Sequence, residues 1–210
     1  PITAETVANL DGSSGSTTRL AGAHFDEATG IPALEAEQDV THIAQVRMCN
    51  AMLGVLFGEF DQARDSARAA LDLVGGTGYQ ATMFVPLTHF HMAMAVAADD
   101  DQPIDDNKEF ESSRDALEHA AQAAPINFVH KLDLVAAEQA RRRGDFVAAI
   151  DAYERAVEGA ASAGFLQDEA LALERAGRLF LGLDMQRVAD LYLGHAIEAW
   201  RRWGAQAIVK

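Results

Sequence analysis

The stretch from Ala137 to Ala156 reads AEQARRRGDFVAAIDAYERA, and its spacing decides the fold. Two runs of good helix formers meet at Gly144-Asp145, a plausible helix stop, and small residues stand at Ala137, Ala149 and Ala156. The same offsets of twelve and seven recur in Ala51, Ala63, Ala70 and in Gly177, Ala189, Ala196. Offset nine carries Phe60, Phe146 and Gln186, and offset sixteen carries Ala67, Tyr153 and Leu193. A small residue in one helix and two in the next let antiparallel helices approach closely, while larger side chains fill the seam to the following pair.

Outward from that stretch, apolar residues keep recurring at three and four, as in Val40, Ile43, Ala44, Met48, Ala51, Met52 and Val55, the face of an amphipathic helix. The pattern predicts helices over roughly 39 to 57, 61 to 74, 83 to 98, 106 to 123, 127 to 142, 146 to 162, 165 to 182 and 186 to 203. The breaks include Gly58-Glu59, Gly75-Gly76-Thr77-Gly78, Ala124-Pro125 and Ala163-Gly164. The offsets are the tetratricopeptide register. The expected fold is therefore all-α: antiparallel hairpins stacked as a TPR-like right-handed solenoid of about eight helices, over residues 23–210. The second hairpin is irregular, because it keeps only Ala116 and Ala123 and its loop from Asp99 to Asn107 is long. Residues 1–22, with Asp11-Gly12-Ser13-Ser14-Gly15-Ser16, read as a flexible or irregular segment.

Composition narrows the function classes. Of the 210 residues, 49% are hydrophobic, 41 are Ala and one is Cys, which points to a soluble helical protein of a reducing cytoplasm without a disulfide framework. The formal charge of −15 repels phosphate backbones and anionic membranes, so neither nucleic acid nor a membrane is an expected partner. The longest uncharged stretch, Gly75 to Ala98, is interrupted by Gly and His, and its second half reads as a core helix. Pro1-Ile2-Thr3-Ala4-Glu5 has no secretory signal character and reads as a piece of something longer.

The run Ala124-Pro125-Ile126-Asn127-Phe128-Val129-His130-Lys131, then Leu134-Val135-Ala136-Ala137-Glu138, Gly164-Phe165-Leu166-Gln167-Asp168-Glu169 and Arg202-Trp203-Gly204-Ala205, resembles one family segment. It is similar to the tetratricopeptide-like helical region of large bacterial multi-sensor kinases, hybrid histidine or serine/threonine. In those proteins the region lies between an AAA-type ATPase domain and a GAF domain. Phe25-Asp26-Glu27-Ala28 and Val85-Pro86-Leu87-Thr88-His89-Phe90 extend the likeness to about residues 23 to 210. The resemblance implies a cytoplasmic, non-catalytic relay or scaffold whose partners are the neighbouring ATPase, GAF and kinase domains, and it transfers no catalytic residue or cofactor. The alternative is a regulatory module binding a small effector or a peptide in its concave groove.

No acid, base, nucleophile or metal constellation can be assembled from the sequence. His89 and His91 are two apart and fall on different sides of a helix. Cys49 stands alone, and the acidic loop Asp99 to Asp106 lacks the Gly-centred spacing and distal Glu of a calcium loop. Arg141-Arg142-Arg143 suits the negative end of a helix dipole. Groove positions counted from the small residues are Gln45, Met48, Met52, Val55, then Lys131, Leu134, Glu138, Arg141, then Leu171, Glu174, Arg178, Leu181. Of these Lys131, Glu138, Arg141, Glu174 and Arg178, together with the indoles of Trp200 and Trp203, are the candidate partner contacts.

Overall fold

A computed structural model describes residues 1–74 and 82–209, and the expected turn at Gly75-Gly76-Thr77-Gly78 lies outside them. The chain is all-helical. In order it forms α1 (Ile2–Asp11), α2 (Glu27–Ala36), α3 (Val40–Phe57), α4 (Phe60–Val74), α5 (Phe84–Ala97), α6 (Lys108–Ala123), α7 (Pro125–Arg142), α8 (Phe146–Ala163), α9 (Leu166–Gly182) and α10 (Gln186–Trp203). The last eight follow the predicted helices to within a few residues. They fall into two compact units, Pro1–Asp99 with Gln206–Ile208, and Asp100–Ala205.

Local chemistry sets the helix ends. Side chains accept the orphan amides at four starts: Asp26 from Ala28 at 2.8 Å, Asp39 from His42 and Asp145 from Ala148 at 3.1 Å, and Asn107 from Glu109 and Phe110 at 3.1 Å. At the hairpin turns one residue adopts a left-handed conformation, and the next amide donates back five residues. Gly58 (φ 78°) precedes Glu59 N–H to Gly54 O at 2.8 Å, and Gly144 (φ 75°) precedes Asp145 N–H to Ala140 O at 3.0 Å.

The α9–α10 hairpin puts Asp184, at φ 56°, in the same place before Met185 N–H to Phe180 O. An Asp there carries a Cβ penalty that Gly escapes. Asp184→Gly is expected to stabilise unit 2 by about 0.5–1 kcal/mol, read as a higher urea midpoint with unchanged slope.

In unit 1, α3 packs against α4 and α5, and α1 and α2 pack on α3. By length and composition α3 could cross a membrane, but half of it is buried among these helices. In unit 2, α7 pairs with α8, α9 with α10, α8 also meets α9, and α6 leans on α7. Eight of the nine register residues, Ala51, Ala63, Ala70, Ala137, Ala149, Ala156, Ala189 and Ala196, are no more than 2% exposed, and Gly177 is buried. A Cβ added to Gly54 would stand 2.8 Å from the Cβ of Ala63, and one added to Gly177 would stand 2.8 Å from Leu193. The close helix approach that the small residues predict is thus present within these hairpins.

The N-terminal segment departs from its reading. Where a flexible or irregular stretch is expected over residues 1–22, Ile2–Asp11 is helical with Ile2, Glu5, Asn9 and Leu10 buried. The Ser- and Gly-rich chain after it is pinned by buried side chains. The Asn9 amide donates to Thr17 O at 3.1 Å and Arg19 O at 2.8 Å, and Glu27 accepts from Leu20 N–H at 2.6 Å and from Asn50 at 3.1 Å. These bonds supply the partners that so polar a backbone needs when it is buried.

Candidate functional site

Unit 1 holds a half-open cavity of about 280 Å³ with almost wholly apolar walls. One turn of α1 contributes Thr3 and Thr6, α3 contributes Gln45, Met48, Cys49 and Met52, and α5 contributes Phe84, Leu87, Thr88 and His91. The helical repeat brings these side chains to one wall per helix, since i, i+3 and i+4 positions share a face. The Thr6 hydroxyl donates to Ile2 O at 3.0 Å and the Thr88 hydroxyl to Phe84 O at 2.8 Å, so each gives its one donor to its own helix. Burial pushes the Cys49 thiol up, against an opposing hydrogen bond with Thr6, and keeps it neutral at physiological pH. On α5, burial lowers the pKa of His89.

Three of the four groove positions counted on the first hairpin, Gln45, Met48 and Met52, line this cavity, whereas Val55 is buried at 5% exposure. Protein-family models, curated proteins and solved structures yield no match to this chain.

The groove positions of unit 2 have a different fate. Glu138 is fully buried and accepts four hydrogen bonds: from Tyr153 on α8 at 2.6 Å, from Arg175 on α9 at 2.6 and 2.9 Å, and from Arg141 at 2.9 Å. Lys131, 3% exposed, donates to Asp168 of α9 at 2.6 Å and lies 4.4 Å from the Phe165 ring centroid. His130 stacks on the same ring and reaches Asp168 at 2.9 Å. Trp200 is 1% exposed, with its indole N–H on Glu174 at 3.1 Å and its ring 5.7 Å from that of Trp203. Lys131, Glu138 and Trp200 are therefore buried inside unit 2, where α9 supplies their counterparts Asp168, Arg175 and Glu174. Arg178 remains exposed beside Glu174, and Trp203 is partly so.

The Arg run and the acidic loop, read separately in the sequence, meet. Arg141 and Arg142 pair with Asp100 at 2.8 and 3.6 Å, and Arg143 pairs with Asp105 at 2.8 Å. In unit 1, Asp99 pairs with the buried Arg64 at 2.7 Å. Among the described residues no group of three His, Cys, Asp or Glu side chains converges as metal ligands would. A second cavity, about 240 Å³, lies in unit 2 between α8, α9 and α10, with Glu169, His195, Glu198 and Arg202 on its walls. Sequence reasoning missed Thr3 and Thr6 of α1 and the α5 face of the first cavity. It also missed Tyr153, Asp168 and Arg175 as partners of the buried charges. Apart from Tyr153 in its seam position, none carries a local signal.

Proposed function

We propose that this chain is a non-catalytic, TPR-like helical-repeat domain that mediates protein contacts, and that its hairpins stack as a right-handed solenoid. The observation that carries the reading is the burial of the small residues at offsets of twelve and seven in three hairpins. In line with the resemblance around Phe128 to Glu138 and Arg202 to Ala205, the domain relays or scaffolds between an ATPase module and the sensor and kinase modules of a bacterial signalling protein. The coding sequence on either side of this segment tests the relay. ATPase and GAF sequences flanking it support the proposal, and their absence removes it. Where they are present, Arg178→Glu with Trp203→Ala is expected to weaken binding of the separately expressed neighbouring domains about tenfold in a titration, with the melting temperature little changed.

One observation favours a second reading, a module that binds an effector or peptide. Gln45, Met48 and Met52, the groove positions of the first hairpin, line an apolar cavity of about 280 Å³.

A further inference from the structure

We propose that the cavity between α1, α3 and α5 binds an uncharged, two-ring aromatic molecule held by one hydrogen bond to Gln45; this rests on the effector reading of the same cavity. Charge comes first. The chain carries 17 Lys and Arg and 32 Asp and Glu, yet none of them is among the ten residues of this wall. The one wall ring able to carry a positive charge, that of His91, is already engaged, so a charged ligand would lose its hydration here without a free counter-ion to replace it, which disfavours carboxylates, amines and phosphates.

The walls then select among neutral ligands. Met48, Met52 and Cys49 offer polarisable sulfur, and Phe84 offers a ring, both of which favour contact with aromatic faces and edges over plain alkyl chains. The Thr6 and Thr88 hydroxyls give their donors to backbone carbonyls, Thr3 is exposed and the His91 ring is engaged, so the donor and acceptor left to the wall is the half-buried Gln45 amide. It both donates and accepts, so it suits a ring N–H or a phenolic hydroxyl. Size completes the description. An apolar cavity of about 150 Å³ takes benzene; the roughly doubled volume here, about 280 Å³, takes two fused rings.

The single cysteine makes the test direct, since Cys49 lies in the wall and nothing else in the chain alkylates as a thiol. The reaction of Cys49 with iodoacetamide is followed at pH 8.5 with indole, naphthalene, 2-naphthoate or decanoate present, and melting curves are taken with the same four compounds. Indole is expected to slow alkylation at least about fivefold and raise the melting temperature by about 3 °C near tenfold saturation. Gln45→Leu is expected to raise the indole concentration needed about fivefold while leaving naphthalene unchanged. If no compound slows alkylation or shifts melting, the inference and the effector reading of this cavity both fail. If 2-naphthoate or decanoate acts as well as indole, or Gln45→Leu leaves indole unaffected, the effector reading stands and this inference is lost.

Discussion

Glu138→Gln is expected to destabilise unit 2 by about 3–5 kcal/mol, a fall of more than about 10 °C in melting temperature. The two Glu138 oxygens carry four donors between them, two from the Arg175 guanidinium, one from Arg141 and one from the Tyr153 hydroxyl. An amide at that position aims its own N–H groups at a guanidinium and leaves the Arg175 charge buried without compensation. Tyr153→Phe removes one donor to a charged acceptor and is expected to cost less, about 1.5–3 kcal/mol. The double replacement Glu138→Leu with Arg175→Leu is expected to recover most of the loss, because it deletes both charges together. Denaturant melts of the parent, Glu138→Leu, Arg175→Leu and the double variant form a cycle, and a double-variant loss equal to the sum of the two single losses would show that the pair does not hold α7 to α9.

The same carboxylate governs the response to acid. Burial pushes the Glu138 carboxyl up, but the Arg175 charge and hydrogen bonds, with Arg141 and Tyr153, outweigh it and hold the group below its ordinary value of 4.5. Asp168 is likewise raised by burial and lowered further by the hydrogen bond from His130 and the charge of Lys131, ending below 3.8. Since the folded values lie below the unfolded ones, the unfolded chain binds more protons in that window. The stability from these two groups is complete above about pH 4.5 and is lost as the pH falls through the folded values. Urea melts between pH 3 and 7 are expected to show that loss, with a shallower slope in Glu138→Gln.

How far the structure was legible follows from the range of each interaction. Helix ends were legible because their causes are local: Gly58 and Gly144 take the left-handed turn, and Asp39, Asn107 and Asp145 cap the next helix within three residues. The 12 and 7 offsets were legible for the same reason, since each hairpin closes on itself. Helix α1 was not, because the Gly12–Thr18 composition reads as linker while the holding contacts come from elsewhere: His24 N–H donates to Glu5, and Thr18 bonds Gln62. Of the counted groove positions, Gln45, Met48 and Met52 line the cavity of unit 1, whereas Lys131 and Glu138 are buried in unit 2. The difference is that Asp168 and Arg175 arrive 37 residues downstream on α9 to cover those two. A register fixes which face a residue occupies; it does not say which charge comes to sit on it.

The register itself makes the second large prediction, at Gly54. Replacing a helix-interior glycine normally gains about 1 kcal/mol of helix propensity, and Gly194 of α10, with open space where its Cβ would stand, is expected to show that gain in Gly194→Ala. Gly54 is the opposite case. Its added Cβ would stand 2.8 Å from the Ala63 Cβ and 3.0 Å from the Ala63 Cα and N, so α4 must move as a whole and not by rotation of one side chain. Gly54→Leu adds three more carbons at that contact and is expected to destabilise unit 1 by about 2–3 kcal/mol after the propensity gain is counted. Two substitutions that both improve local helix formation would then differ in sign, and only the distance between helices separates them. Urea midpoints of the two variants decide the matter: a Gly54→Leu protein as stable as the parent would mean that α3 and α4 are not held at close approach through Gly54 and Ala63. The small-residue register, and with it the repeat reading of the whole chain, would lose its physical basis.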